Sequence, residues 1–97
     1  MTNRETLYKA IDRYGKDHQV DIAIEELSEL TKALLKDRRY HTAQTKKDVT
    51  EEMADVFICL EQLTIMYQNM CVVEQVEKEK LSRLERRLAD EQKTDGK

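Results

Sequence analysis

The chain has 97 residues, of which 38% are charged and 39% are hydrophobic, and its formal net charge is -3. This length suits one domain and is too short for two independent cores. The chain contains no Pro, two Gly and one Phe, so little interrupts long helices and little favours strands. We expect one all-α domain over residues 1–90 and a disordered tail over 91–97.

The distribution of charge and apolar residues excludes several classes of protein. No cluster of Lys and Arg forms the basic stripe that is typical of proteins that bind nucleic-acid duplexes. No apolar segment approaches the length of a bilayer span, and the first ten residues lack the apolar stretch of a signal peptide. Cys59 and Cys71 lack zinc-site spacing. We therefore expect a cytoplasmic, soluble protein with inert or buried thiols and no membrane partner.

The first predicted helix runs from about 3 to 14. Thr2 and Glu5 have the spacing of a capping box, and Gly15 provides a signal for the end of the helix. Between these signals, apolar residues recur at helical spacing, and they are Leu7, Ala10, Ile11 and Tyr14.

The second predicted helix runs from about 18 to 37, with Asp17 as its N-cap. Its apolar stripe consists of Val20, Ala23, Ile24, Leu27, Leu30, Leu34 and Leu35. The polar segment that follows, KDRRYHTAQTKK over 36–47, predicts a connection. A solvated face and loop is the interpretation of Lys32, Lys36, Arg38 and Arg39, with contact to a nucleotide as the alternative.

The third predicted helix follows a cap formed by Thr45 and Asp48 and ends near residue 68. Its main stripe is Val49, Met53, Val56, Phe57, Leu60, Leu63 and Tyr67. Further apolar residues on its other sides predict a helix that is surrounded by protein. We therefore expect it to be the central helix, with Met66 and Tyr67 in the core.

The fourth predicted helix begins after a turn near Asn69 and ends near residue 90. Four helices with short connections predict antiparallel neighbours in a bundle. A single short chain has little capacity to cover a helix that is apolar on nearly all sides. We therefore expect the protein to form a homo-oligomer.

Two pairs of acidic residues lie at the margins of the predicted core. Glu26 and Glu29 are three residues apart on the second helix, and Glu52 and Asp55 repeat this spacing on the third. Each pair differs by about 60° around its helix, so both carboxylates can converge on one ligand. Four carboxylates facing a bundle interior repel one another, and a divalent cation relieves the repulsion best.

The carboxylates therefore predict a metal site with Glu26, Glu29, Glu52 and Asp55 as ligands. Magnesium prefers such oxygen ligands, and Mn²⁺ is the expected substitute. Glu25 lies at the rim of the predicted site, where it could activate a water molecule as a general base. The alternative is that both pairs are ordinary solvated acids, which is common for a single pair on a helix surface.

Basic side chains on the fourth helix are the candidate phosphate ligands. Lys80, Arg83 and Arg87 lie within about 60° of one another beside an apolar stripe. They could bind phosphates, and the alternative is that they pair with the acids of the second and third helices. Gln19 shares the Glu26 face and could contact a base or ribose, with a capping-turn amide as its alternative.

At these residues the sequence resembles the MazG-like branch of the all-α nucleoside triphosphate pyrophosphohydrolase superfamily. The family hallmark is E-E-x-x-E followed by E-x-x-D, which Glu25, Glu26 and Glu29 match, followed by Glu52 and Asp55. The similarity covers about 18–88 and includes the basic segment EKLSRLERRL. It implies a bundle-like fold that assembles into a dimer or tetramer, with sites built from helices of more than one chain.

The resemblance also implies magnesium-dependent hydrolysis of a nucleoside triphosphate to its monophosphate and pyrophosphate. In this interpretation Glu25 orients the attacking water, while the other four acids bind metal. The chain lacks Trp and has a single Phe, so few aromatic residues are available to select a base. The alternatives are a non-catalytic helical module that binds nucleotides or proteins, and a pyrophosphohydrolase of another phosphoanhydride, such as a phosphoribosyl nucleotide.

Overall fold

The computed structural model describes residues 1–95, and all regular structure in this range is helical. The helices are α1 (Asn3–Tyr14), α2 (Lys16–Tyr40), α3 (Ala43–Tyr67) and α4 (Met70–Asp95). The predicted all-α class with four helices is therefore confirmed. None of these helices is long and apolar enough to cross a membrane. The helix α4 continues past its predicted end near 90, and Gly96 and Lys97 of the predicted tail lie outside the described residues.

The start and end of α1 agree with the local sequence signals. The hydroxyl of Thr2 accepts a hydrogen bond from the Glu5 backbone N–H at 3.1 Å. The Thr2 backbone N–H in turn donates to the Glu5 carboxylate at 3.2 Å, which completes the capping box. Gly15 ends the helix, and its φ of 91° lies in the region that favours glycine.

The next two helices are longer than predicted. Since α2 begins directly after Gly15, Asp17 lies in its first turn and is not the N-cap. The predicted cap of α3 is also wrong: Thr42 is the N-cap, and its hydroxyl accepts from the Thr45 backbone N–H at 3.0 Å. The two helices are joined only by His41 and Thr42. Most of the polar segment predicted as a connection is therefore helical.

The helices α2 and α3 form an antiparallel hairpin that contains most of the interhelical packing. Two hydrogen bonds fix their register. Gln19 Nε2 donates to Gln62 Oε1 at 3.0 Å near the start of α2, and Thr45 Oγ1 donates to Asp37 Oδ1 at 2.9 Å near its end. The residues buried between the two bonds are Ala23, Ala33, Val56 and Cys59.

The helix α1 packs on both members of the hairpin and buries Leu7 and Ile11. Among the described helices, α3 alone contacts the other three, which confirms its predicted central position. By contrast, α4 contacts only α3, and its residues 70–94 are all exposed. One chain therefore forms a core from three helices, and α4 does not complete a bundle with them.

Many of the apolar residues predicted to be core are exposed in the single chain. The exposed fraction is 58% for Ile24, 61% for Leu35 and 63% for Phe57. Tyr67 is 64% exposed, so its predicted core position is wrong in the single chain. Of the two thiols, Cys59 is buried as expected and Cys71 is exposed.

The buried amide pair provides a test of the hairpin register. Replacing Gln19 with Leu should lower the free energy of unfolding by about 1–3 kcal/mol, because the Gln62 amide then stays buried without its partner. The double variant Gln19→Leu/Gln62→Leu should recover most of the loss. Urea unfolding at one fixed protein concentration measures both effects. Gln44→Leu, at an exposed position, is the control and should change stability by less than about 0.5 kcal/mol.

Candidate metal centre

The register of the hairpin brings together acids from two helices. Glu26 lies seven residues after Gln19 on α2, and Asp55 lies seven residues before Gln62 on α3. Because the two helices are antiparallel and share one rise per residue, these acids come to face each other. One oxygen each from Glu26, Glu52 and Asp55 lies within 4.8 Å of the other two. We call these three residues the acidic cluster.

The electrostatics of the acidic cluster favour a bound proton or cation. Burial, and then the carboxylates of Asp55 and Glu52, raise the pKa of Glu26. Glu52 Oε2 is buried and has no hydrogen-bond partner among the described residues. A buried carboxylate oxygen without a partner is costly. Three converging carboxylates with one such oxygen fit the oxygen ligands that a hard divalent cation prefers.

The buried thiol of Cys59 lies next to this charge. Its pKa is raised by burial first and by the charges of Glu26 and Asp55 in addition. Because a thiol with a raised pKa is less often the reactive thiolate, this environment favours an inert Cys59. Glu52, Asp55 and Cys59 share one face of α3, because they are three and four residues apart.

The other two predicted acids of α2 lie outside the acidic cluster. Glu29 is exposed, and its carboxylate is 3.4 Å from Lys32 Nζ. Glu25 is exposed as well. The cluster therefore contains three of the four predicted metal ligands, while Glu29 as a ligand and Glu25 as a base stay predictions.

A cleft of about 170 Å³ lies beside the acidic cluster, between side chains of α2 and α3. It is lined by Glu29, Lys32, Ala33, Lys36, Thr45, Asp48, Glu51 and Glu52. Glu52 belongs to both the cleft and the cluster. The sequence did not lead us to assign Asp48 and Glu51 to a site, although Asp48 lies three residues before Glu51 and four before Glu52, the spacings at which side chains on a helix are neighbours.

The predicted phosphate ligands lie on α4, whose helix contacts within the chain are with α3 alone. Lys80, Arg83 and Arg87 do line one shallow depression, as their spacing predicts. However, α4 does not contact α2. Of these three bases, Arg87 alone forms an ion pair within residues 1–95. Its Nε lies 3.9 Å from Glu91 Oε1 on the same helix.

Gln19 has a structural role in the described chain. It is buried, donates to Gln62, and its Oε1 lies 3.0 Å from His18 Nδ1. Its amide is therefore engaged on both sides within the hairpin. Contact with a base or ribose stays a prediction for this residue.

Comparisons with protein-family models, with curated proteins and with solved structures find no match for this chain.

The raised pKa of Glu26 predicts a specific pH dependence of stability. The pKa of Glu26 is ordinary in the unfolded chain and higher in the folded chain. The folded chain therefore binds the proton of Glu26 more tightly than the unfolded chain does. Stability without metal should therefore fall as pH rises through these two values, and the loss should be complete above the folded-state pKa. Glu26→Gln should be more stable than the wild type at neutral pH with a chelator, and this advantage should vanish in acid.

Urea unfolding followed by circular dichroism, at neutral and at mildly acidic pH, measures this difference. Glu25→Gln is the matched control, because it removes the same charge next to Glu26 at an exposed position outside the acidic cluster. An equal effect of the two substitutions would contradict the assignment of the repulsion to the cluster.

Proposed function

We propose that the protein is a magnesium-dependent nucleoside triphosphate pyrophosphohydrolase that removes unwanted or excess nucleotides. It converts an NTP or dNTP into the monophosphate and pyrophosphate. The observation that carries this proposal is the convergence of Glu26, Glu52 and Asp55 within 4.8 Å from two different helices. The resemblance of the E-E-x-x-E and E-x-x-D segments to the MazG-like family supports the same reaction.

The acidic cluster suits magnesium by the chemistry of its donors. All three side chains offer carboxylate oxygens, and the orphaned Glu52 Oε2 gives one buried atom that a cation would satisfy. Bound magnesium would supply charge neutralisation and Lewis-acid polarisation at the phosphates. Glu29 could complete the ligand set after release from Lys32, an exposed ion pair that contributes little stability.

In the proposed reaction, a water molecule attacks the α-phosphorus of the nucleotide in line with the leaving group. A new bond forms between this phosphorus and the water oxygen, while the bond to the oxygen that bridges to the β-phosphorus breaks. Glu25 would accept the proton that the water loses. The acidic cluster would hold the magnesium, whose charge would position the α-phosphate, and positioning is the main contribution a protein makes to phosphoryl transfer.

Pyrophosphate release from a broad panel of triphosphates, with magnesium in excess, tests this proposal directly. The wild type should release pyrophosphate from at least one member of the panel, and a chelator should abolish the release. Absence of release from canonical, deoxy and damaged nucleotides would contradict the enzyme.

Glu52→Gln should lower the rate of release at least about 100-fold, because changes even outside the ligand shell of a metal cost about 10–100-fold. The folded state should stay intact, since repulsion in the acidic cluster falls. Glu29→Gln should also lower the rate if it is a ligand. Glu85→Gln, which removes the same charge from an exposed position on α4, should leave the rate unchanged.

The same variants separate the enzyme from the alternatives. A helical interaction module predicts that Glu52→Gln weakens assembly or stability and alters no response to metal. A related enzyme acting on another phosphoanhydride, such as a phosphoribosyl nucleotide, predicts the same metal dependence with a different substrate, so the substrate panel decides between the two.

We also infer that the protein works as a homodimer or homotetramer. The chain exposes 8212 Å², whereas a compact monomer of 11.5 kDa exposes about 5,800 Å². Its radius of gyration is 17.8 Å, against about 12.5 Å for a compact domain of this length. The excess surface exceeds the roughly 800 Å² that each partner buries in a standard interface.

The exposed apolar residues form one continuous candidate interface. We define the apolar face as Ile24, Leu27, Leu34, Met53, Phe57 and Leu60, all of which are exposed. At about 100° per residue, the apolar residues on each helix are rotated by roughly 95–125° from the side that faces the other helix. Because the helices are antiparallel, the same sense of rotation brings both stripes to one side of the hairpin.

Assembly also gives the basic residues of α4 their only proposed route to the substrate. Since α4 does not contact α2 within a chain, Lys80, Arg83 and Arg87 would reach the phosphates in the assembly, where α4 of one copy lies beside the acidic cluster of another. This arrangement agrees with the multi-chain sites that the family resemblance implies.

Phe57→Glu should shift the protein from oligomer toward monomer, because a charge replaces a large apolar side chain in the proposed interface. Sedimentation velocity over a range of concentrations measures the shift. Tyr40→Glu is the matched control: its exposed fraction is 59%, close to that of Phe57, and it lies outside the apolar face. Similar sedimentation of both variants and the wild type would rule out this interface.

A further inference from the structure

The cleft between α2 and α3 contains two lysines that the proposed mechanism does not use. We propose that this cleft binds the diphosphate end of the substrate, with Lys36 and Lys32 as phosphate-binding side chains. The inference rests on the proposed function only for the identity of the nucleotide, since the cleft itself should bind free pyrophosphate.

The position of the lysines follows from the helical repeat of α2. Glu29, Ala33 and Lys36 line the cleft at spacings of four and three residues, so they follow one face of the helix. Lys36 lies about 10 Å along the axis from Glu29, toward the end of α2. The small side chain of Ala33, which is buried, leaves room between them. An anion in the cleft would therefore have the acidic cluster at one end and an ammonium group at the other.

The charges that line the cleft make anion binding dependent on magnesium. Four carboxylates face two ammonium groups, so the empty cleft carries an excess of negative charge. Lys32 already contacts Glu29, whereas Lys36 forms no ion pair with any residue in 1–95 although Asp48 and Glu51 line the same cleft. Magnesium bound by the acidic cluster would neutralise Glu52, and Glu29 as well if it joins the ligands, which leaves Lys36 opposite Asp48 and Glu51 as the ammonium group available to phosphate oxygens.

The size of the cleft limits what it can hold. The cleft has a volume of about 170 Å³. Sites for small organic ligands usually occupy about 300–1,000 Å³. The cleft therefore suits two phosphate groups, and the sugar and base would lie beyond the acidic cluster. On this arrangement the leaving pyrophosphate points toward Lys36, and the cleft itself does not select the base.

Isothermal titration of the full chain with inorganic pyrophosphate, in excess magnesium and at constant ionic strength, tests the proposal. Lys36→Met should weaken pyrophosphate binding about tenfold, the effect of losing one hydrogen bond to a charged group. Lys32→Met should weaken pyrophosphate binding by a smaller factor, because the loss of Lys32 also releases Glu29, which can then bind magnesium. Lys46→Met is the matched control: it removes the same charge from an exposed position on α3 outside the cleft. It should bind like the wild type.

Two results would overturn the inference: equal binding by the Lys36→Met and Lys46→Met proteins, or no magnesium-dependent binding of pyrophosphate by the wild type. Both differ from failure of the proposed function. Nucleotide hydrolysis with unchanged KM in Lys36→Met would leave the enzyme intact and remove the cleft assignment. Binding of pyrophosphate through Lys36 without hydrolysis of any nucleotide would keep the cleft assignment and remove the enzyme.

Discussion

The antiparallel register of α2 and α3 is the constraint on which the candidate site depends. Gln19 and Gln62 fix it at one end, and Asp37 and Thr45 fix it at the other. A shift of one residue in either helix would rotate its acids by about 100° and carry them away from the partner helix. The buried amide pair therefore specifies which carboxylates meet, because its hydrogen bond fixes the register of the two helices.

The acidic cluster works against the fold that creates it. Small side chains at Ala23 and Ala33 let the two helices approach closely, and close approach strengthens the repulsion between Glu26, Asp55 and Glu52. A cation that binds only the folded chain reverses this effect and stabilises it in proportion to the logarithm of its concentration. The cost of the cluster without metal is thus consistent with a ligand site, since a purely structural arrangement would separate these charges or pair them with bases.

The sequence allowed prediction of helices and faces better than of contacts between them. The acids at 26, 52 and 55 were identified because helical spacing is a local property. The pairing of Gln19 with Gln62 spans 43 residues, and no local signal distinguishes a buried amide from a surface one. The predicted cap at Thr45 failed for a related reason: Thr42 has the same chemistry one turn earlier. Likewise, the apolar residues on nearly all sides of α3 predicted that another copy covers this helix, without specifying which surface of that copy does so.

The two sides of the hairpin divide the proposed tasks. Around the axis of α2, the apolar face lies in one direction from the side that faces α3, and Glu29 and Lys36 lie in the opposite direction. The cleft and the apolar face therefore lie on opposite sides, and a second copy can cover the apolar face without blocking the cleft. The exposed α4 extends from the end of α3 beyond this hairpin, so it is the element through which one copy can reach across to another. The proposed site built from more than one copy would explain both the large exposed surface and the small size of the cleft.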